Sequence, residues 1–441
     1  MAQKFFDWSP LVTFASGHVF LPSAAPDGVG DFDIAYTTTT NTNEAEPWTV
    51  TLMHTATDAF GNPLYPAAAV ATYTVPAPVI DASGDIEFDF TYGSFETATN
   101  RNVTLWTEPV GTFSATTSSE VLMRLYNDAG TAIGSTITLN VLGTGTGAIK
   151  DLFDLGFSSG PDFGSTFMVA YSTFNPDSNV AQIGYEEFSS TGTALKHGVL
   201  FSEQIDTGRA ISFGTYALSE AAKPAYMLMY HLPEAATGAV HVELLNTDGT
   251  QGAFSFDLPV LGPDGEGNTD IHSFGFARPD VAAPKGNYGV LTETFGYQDS
   301  GGTDHLEAAI QVIGANGHVT AQTEIHITAD DEVKIVHLTN GDIAVGYGAD
   351  GVTHIAEYTE GLTQVGATFN LPNSTGELAD LVTLDDGRIE AFWRDNTTAT
   401  KGSLDSIILD TRTAGVTIND SADSTSQAIA GTSFNDTLTG T

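Results

Sequence analysis

The sequence predicts an all-β protein, a seven-bladed β-propeller of four-stranded antiparallel blades. Three observations predict it. The 441 residues include 46 Gly, 18 Pro and no Cys, with 41% hydrophobic and 10% aromatic residues. That composition suits many short strands joined by turns around a sizeable core. An alternating strand ending in a polar turn with glycine recurs seven times, and apolar strands precede it at matching places. Self-similarity at a period of this size is the signature of a repeat architecture.

The recurring hairpins are VTLMHTATDAFGN (50–62), EVLMRLYNDAGT (120–131), VAQIGYEEFSSTGT (180–193), AVHVELLNTDGT (239–250), LEAAIQVIGANG (306–317), VTHIAEYTEG (352–361) and, more loosely, SLDSIILDTRTAG (403–415). Their marker glycines, Gly61, Gly130, Gly192, Gly249, Gly317, Gly361 and Gly415, span 354 residues in six intervals, a mean of 59. Asp, Asn, Ser or Thr precedes the glycine, and such residues suit the positive φ of a tight hairpin. Before the hairpins lie apolar strands such as TFMVAYSTF (166–174), AYMLMYHL (225–232), YGVLTETFG (288–296), DIAVGYG (342–348) and RIEAFWRD (388–395). Their near-continuous apolar character predicts burial on both faces. A further strand precedes these: DLFDLGF (151–157), DIHSFGF (270–276), VKIVHL (333–338) and LADLVTL (378–384). Four antiparallel strands repeated seven times read as one blade per repeat.

The propeller is expected over residues 1–416. The last repeat has only a weak fourth strand after Gly415, and GHVFLPSA (17–24) is an apolar strand lying before the first repeat is complete, so the N-terminus is expected to pair into the last blade, close the ring and cover the exposed edge. Loss of residues 1–24 is then expected to lower thermal stability sharply.

Composition also excludes whole classes of function. With 14 basic and 55 acidic residues the formal charge is −41. A nucleic-acid partner needs a basic footprint, and an anionic membrane surface would be repelled. No apolar run approaches about 18 residues, so no membrane insertion by a helix is expected. Without Cys there are no disulfides, thiolate metal sites or cysteine nucleophiles. The opening MAQKFFDWSP has one Lys, no apolar core and no A-x-A site, unlike a secretory signal peptide.

Residues 417–441 differ in composition and end AIAGTSFNDTLTGT (428–441). This segment resembles the entry into the glycine- and aspartate-rich nonapeptide repeats of the repeats-in-toxin (RTX) family, whose unit is similar to G-G-x-G-x-D-x-L-x. Gly431, Asn435, Asp436, Leu438 and Gly440 fit, while Phe434 stands where the family usually has Gly. The strands IVHLTNGDIAVGY (335–347) and LVTLDDGRIEAFW (381–393) likewise resemble the L-x-x-G-x-x-x-V-x-W strands of large proteins exported by type I secretion. The resemblance implies a linker and the start of a Ca²⁺-binding repeat over 417–441. It also implies export by type I secretion machinery without an N-terminal signal, secretion or surface display, and Ca²⁺-linked folding. Such propellers accompany adhesins, proteases and glycan-active enzymes alike.

Candidate chemistry is sparse. GFSSG (156–160) matches G-x-S-x-G but falls at a strand end with no helix pattern after it, so it reads as a loop rather than a nucleophile elbow. In PDGEGNTD (263–270), Asp264, Glu266, Asn268 and Asp270 stand at every second position of a Gly-containing loop. Oxygen ligands at that spacing suit Ca²⁺, a hard cation, although the full twelve-residue loop is lacking. A weaker acidic cluster is Asp81, Asp85, Glu87 and Asp89. Among the His and Tyr residues, Tyr230 and His231 close a second strand, His272 lies on a first strand and His305 opens a third. A His and a Tyr can share base and acid work on a polysaccharide, and each residue also has a plain structural reading. Trp8, Trp48, Trp106 and Trp393 could stack on a neutral sugar or pack the blades. With only seven Arg, a polyuronate substrate is disfavoured. The expected function is a secreted or surface-displayed binding or adhesion module for a glycan or cell-surface ligand. The alternative is a glycan-active enzyme, a polysaccharide lyase or glycoside hydrolase.

Overall fold

In the computed structural model the chain is all-β. The described residues are the strands between Phe6 and Gly440 together with short connections at 64, 66–67, 127, 130–131, 139, 179, 190–193, 211, 246, 318, 327–328, 333, 338, 340–342, 350–351, 359–363, 371–374, 384, 387–388 and 411. Among them no helix is long and apolar enough to cross a membrane.

The strands form seven principal sheets of four or five strands each. The first joins His18–Val19, Ser23–Pro26, Phe32–Thr39, Trp48–Thr57 and Ala68–Val75. The second runs Tyr92–Thr97, Arg101–Pro109, Ser119–Tyr126 and Ala132–Thr138. The third is Asp151–Ser158, Thr166–Asn175, Val180–Ser189 and Ala194–Gln204, and the fourth Ser212–Ala217, Tyr226–His231, Val240–Leu245 and Gln251–Leu258. Asp270–Ala277, Asn287–Gln298, Asp304–Gly314 and Val319–His326 make the fifth, and Lys334–His337, Ile343–Ala349, Val352–Tyr358 and Gln364–Asn370 the sixth. The seventh holds Leu378–Thr383, Ile389–Asp395 and Ser403–Asp410. Within sheets two to six, strands follow one another in chain order, so each sheet is a meander of antiparallel neighbours.

The turns explain the repeat chemically. Asn127, Ser189 and Thr359 each close the hairpin between third and fourth strands in the same way. The backbone N–H of each donates to the carbonyl four residues on, at 3.1, 2.9 and 2.9 Å. The side-chain oxygen then accepts from the N–H four residues on, at 2.9, 3.0 and 3.2 Å. Short polar side chains are favoured there because they satisfy a turn donor locally. The residue three places on carries positive φ: Gly130 at 67°, Gly192 at 78° and, in the sixth sheet, Leu362 at 56°. The expected marker Gly361 is thus displaced by one residue, and a leucine takes the left-handed position.

The L-x-x-G segments are turns of the same kind between first and second strands. The Leu338 N–H donates to the Asp342 carbonyl and the Gly341 N–H to the Leu338 carbonyl, both at 2.9 Å; the Leu384 and Gly387 bonds are both 2.8 Å. Gly341 and Gly387 both sit at φ 87°, which only glycine adopts freely. Leu338 and Leu384 are buried, which ties the turn to the core.

The N-terminus pairs into the seventh sheet, as expected. The outer strand positions of that sheet are filled by Phe6–Asp7 and Val12–Ser16, both antiparallel to Ser403–Asp410. Residues 18–19 and 23–26, within the apolar stretch around GHVFLPSA, belong to the first sheet. The weak strand after Gly415 does not join the seventh sheet either: Thr417–Asp420 pairs in parallel with Thr437–Gly440.

The chain divides into two compact units, one comprising Met1–Thr38, Met53–Ala68 and Ile271–Thr441, the other Thr39–Leu52 and Ala69–Asp270. In the second unit, Met168, Ala170, Ile183, Tyr185, Phe213, Leu228 and Tyr230 form one buried cluster between the third and fourth sheets. In the first unit, Ile355, Leu378, Leu381, Ala391, Trp393 and Leu409 join the sixth and seventh sheets. Ile310, Val312, Ile343 and Val345 do the same for the fifth and sixth. Alternate residues of each strand face alternate neighbours.

Candidate functional site

In the third and fourth sheets, ionisable side chains gather around aromatic rings. Strand register builds this group. Tyr230 on the second strand of the fourth sheet stands opposite His241 on the third, and His241 stands opposite Asp257 on the fourth. The Tyr230 and His241 ring centroids are 5.3 Å apart. His241 Nδ1 meets Asp257 Oδ1 at 2.5 Å, and both side chains reach solvent at 28% and 64% exposure. From the third sheet Phe201 packs on Tyr230 at 4.5 Å between centroids. Glu243, two residues from His241 and on the same face, is half-buried.

Electrostatics follow from this crowding. Burial, then the carboxylates of Glu243, Asp257 and Glu203, push the Tyr230 phenol far above its ordinary range. It is therefore a permanent hydrogen-bond donor and no base. Burial also raises the Glu243 carboxyl, and nearby His241 draws it partly back. A carboxyl raised by folding binds its proton more tightly in the folded than in the unfolded protein. Stability therefore falls as pH rises through the window between the two values. Glu243→Gln removes that dependence. The urea midpoint of this variant is expected to exceed wild type at pH 7, with the difference shrinking below pH about 4; a difference independent of pH would refute the assignment.

The same row recurs in the sixth sheet. Tyr347 faces His354 and His354 faces Asn370, with ring centroids again 5.3 Å apart and His354 Nδ1 at 2.9 Å from Asn370 Oδ1. Here His354 Nε2 also lies 3.2 Å from the Ala349 carbonyl, and Asn replaces the carboxylate. Burial pushes up the Tyr347 phenol, opposed by a hydrogen bond with Thr368. Burial and the neighbouring Tyr347 push Tyr358 up to about 12. The seventh sheet carries Trp393, Asp405 and Thr13 in the corresponding cross-strand order. The row thus links neighbouring strands in several sheets, and among the described residues the fourth sheet's version combines a part-exposed His with several carboxylates.

The expected site residues are not all brought together. Tyr230 and His231 are adjacent on one strand and so point to opposite faces; His231 is buried and stands opposite Ser212 and Val240. His305 pairs with Tyr297 in the other unit, and His272 lies on Asp270–Ala277, also there. The partner that sequence reasoning missed is His241. Its position opposite Tyr230 needs the strand register, and the only sequence signal is the matching place of His354 in the sixth repeat.

Asp264, Glu266 and Asn268 lie outside the described residues, and Asp270 opens a strand whose side chain there is likewise outside them. Among the described residues no group of three or more His, Asp or Glu is arranged to hold a metal. Of the cluster at 81–89, the pair Val79–Ile80 and Ile86–Glu87 forms a small antiparallel hairpin. Trp106 and Trp393 are 2% and 0% exposed, so neither is a stacking platform; Trp8 lies outside the described residues, as does the Trp48 side chain. In the G-x-S-x-G segment, Gly156 and Ser158 are strand residues opposite Ala170 and Met168, and the residues that follow lie outside the described ones.

No protein-family model and no curated protein matches the chain. Solved structures do. The Penicillium chrysogenum α-L-arabinanase complexed with arabinobiose is similar with a TM-score of 0.51 at 13% identity, over 73% of this chain and 93% of that one. The Dos1 propeller gives 0.45 at 10% identity, over 91% and 95%. The WD40 domain of Toxoplasma gondii coronin gives 0.45 at 11%, over 92% and 88%. At such identities the arabinanase likeness is one of fold alone.

Proposed function

We propose that the chain is a seven-bladed β-propeller acting outside the cell as a binding or adhesion module for a glycan or similar surface ligand. The observation that carries this is the fourth-sheet group. A half-exposed imidazole held by Asp257, beside Glu243 and Glu203, offers acceptors and a donor that suit hydroxyl-rich neutral ligands. A net charge of −41 disfavours anionic ones by repulsion. The arabinanase neighbour, described with arabinobiose, shows only that a fold of this kind can present a neutral sugar site. The test is titration calorimetry of the purified protein against neutral and acidic polysaccharides. Neutral-glycan binding weakened about tenfold or more by His241→Ala with Asp257→Asn is the expected result, each lost charge-assisted bond contributing about 1.5–3 kcal/mol. New reducing ends or unsaturated sugar in the same mixtures would instead support a glycan-active enzyme, with Tyr230 confined to proton donation.

The RTX-type reading stands beside this as a proposal. Its support is the segment AGTSFNDTLTG (430–440) and the parallel pairing of Ile418 with Leu438. Parallel pairing is also the arrangement of strands in the family's β-roll. Extracellular Ca²⁺ sites work near 10⁻⁴–10⁻³ M, and a cation at a hundredfold excess over its dissociation constant adds about 2.7 kcal/mol. Millimolar Ca²⁺ is expected to raise the melting temperature beyond a matched ionic-strength control, through Asp264, Glu266, Asn268 and Asp270. A calcium-specific shift that survives Asp264→Ala with Asp270→Ala would remove that loop from consideration.

A further inference from the structure

The sequence holds two Asn-Gly pairs, Asn316–Gly317 and Asn340–Gly341. An asparagine before glycine is open to self-modification, because the next backbone nitrogen reaches the side-chain amide unhindered by a β-carbon. Asn340–Gly341 lies in the turn between Lys334–His337 and Ile343–Ala349. Asn340 is exposed, yet its amide is held on both sides. Its Nδ2 donates to Asp342 Oδ2 at 3.1 Å and to Glu357 Oε1 at 3.3 Å, and its Oδ1 accepts from the Asp342 N–H at 2.9 Å. The Gly341 N–H is engaged as well, donating to the Leu338 carbonyl at 2.9 Å. Three carboxyl groups stand around the turn. Asp342 and the buried Glu357 accept from the amide, and a β-carbon on Gly341 would lie 3.9 Å from Glu360 Oε1. The corresponding turn of the seventh repeat reads Asp386-Gly387-Arg388 where this one reads Asn340-Gly341-Asp342. With a carboxylate at that place, the chain puts a cation two residues on.

We propose that Asn340 is a modification site guarded by the fold, and that its conversion when the sixth sheet opens leaves a turn weaker than the one that guarded it. The Gly341 nitrogen gives up its proton and bonds to Asn340 Cγ. The Cγ–Nδ2 bond breaks, and Nδ2 leaves as ammonia with the displaced proton. Water then opens the resulting five-membered imide at either carbonyl, leaving aspartate or isoaspartate, with nothing oxidised or reduced. In the folded turn, ring closure must first break the bond from Gly341 to Leu338 and draw the amide away from Asp342 and Glu357. The reaction therefore waits on local opening. Afterwards the side chain has no N–H to offer either partner, and a new negative charge faces Asp342, Glu357 and Glu360. Isoaspartate also adds a carbon to the main chain of a turn whose glycine sits at φ 87°. The inference is independent of any ligand bound at the fourth sheet.

The test incubates the full chain at mildly alkaline pH, in native buffer and in guanidinium chloride, and follows both Asn-Gly pairs by peptide mass spectrometry. In denaturant Asn340 and Asn316 are expected to convert at similar rates, which sets the reactivity of an open pair. In native buffer Asn340 is expected to convert about tenfold or more slowly than in denaturant, since reaction needs local opening. Similar rates for Asn340 in the two conditions would overturn the guard. The weakened turn is read from Asn340→Asp, which supplies the aspartate product directly. This variant is expected to unfold at lower urea than wild type. Asp342→Arg added to it copies the order Asp386-Gly387-Arg388 and is expected to restore most of the loss. A wild-type urea midpoint for Asn340→Asp would overturn the proposal, and a loss that Asp342→Arg leaves unchanged would overturn crowding of like charges as its basis.

Discussion

Trp393→Ala is expected to be strongly destabilising, costing about 3–5 kcal/mol. The side chain is fully buried and packs with Leu378, Leu381, Ile355, Ala391 and Leu409, joining the sixth and seventh sheets. Its register neighbours are Leu378 on the first strand of its sheet and Asp405 on the third, so truncation opens a cavity beside the strand that accepts the N-terminus. The indole Nε1 is buried without a hydrogen-bond partner, and an unsatisfied buried donor already carries a desolvation penalty. Trp393→Phe removes that donor with less lost volume and is expected to cost only about 1–2 kcal/mol. Urea midpoints at constant m-value measure both. Equal costs for the two substitutions would mean that lost volume is not what makes Trp393→Ala damaging.

Gly184→Ala carries the second large effect. Gly184 faces Tyr171 across the strands of the third sheet, and a β-carbon there would lie 2.5 Å from Tyr171 Cε2 and Cζ and 2.6 Å from its hydroxyl. Tyr171 is 1% exposed, so the ring has nowhere to move. Overpacking of this kind costs about 1–3 kcal/mol. The cause is steric rather than conformational, because Gly184 is not among the glycines with positive φ. Tyr171→Ala alone is expected to cost about 3–5 kcal/mol. In Gly184→Ala with Tyr171→Ala the clash disappears, so the costs are expected to fall short of additivity by about 1–3 kcal/mol. Strict additivity would remove the ring as the cause.

These two positions bear on how one repeat varies. In the third, fourth and sixth sheets a tyrosine on the second strand faces Gly184, His241 and His354 respectively. Where glycine stands opposite, the ring of Tyr171 lies over it. Where histidine stands opposite, the ring tilts against imidazole, and the next strand supplies Asp257 or Asn370. One strand arrangement thus yields a packed row, an amide-held histidine and a half-exposed group with a carboxylate by change of two cross-strand residues.

The sequence by itself determined the all-β class, the strands and the chemistry of the turns, because these depend on local pattern. Alternation marks a strand whatever it pairs with. Asn127, Ser189 and Thr359 close their turns through atoms four residues away, and Gly341 and Gly387 are needed for φ values that a neighbour in sequence imposes. Tertiary structure alone decided which residues meet. Adjacent in sequence, Tyr230 and His231 are parted because successive strand residues face opposite ways, while His241, eleven positions on, is brought to the ring by register. The strands that complete the seventh sheet, Phe6–Asp7 and Val12–Ser16, come from the far end of the chain, and register again decides which residues meet: Thr13 stands at Asp405, 392 residues away. Local sequence carries no record of a partner at that distance, since a shift of one residue in register exchanges every inward side chain for an outward one.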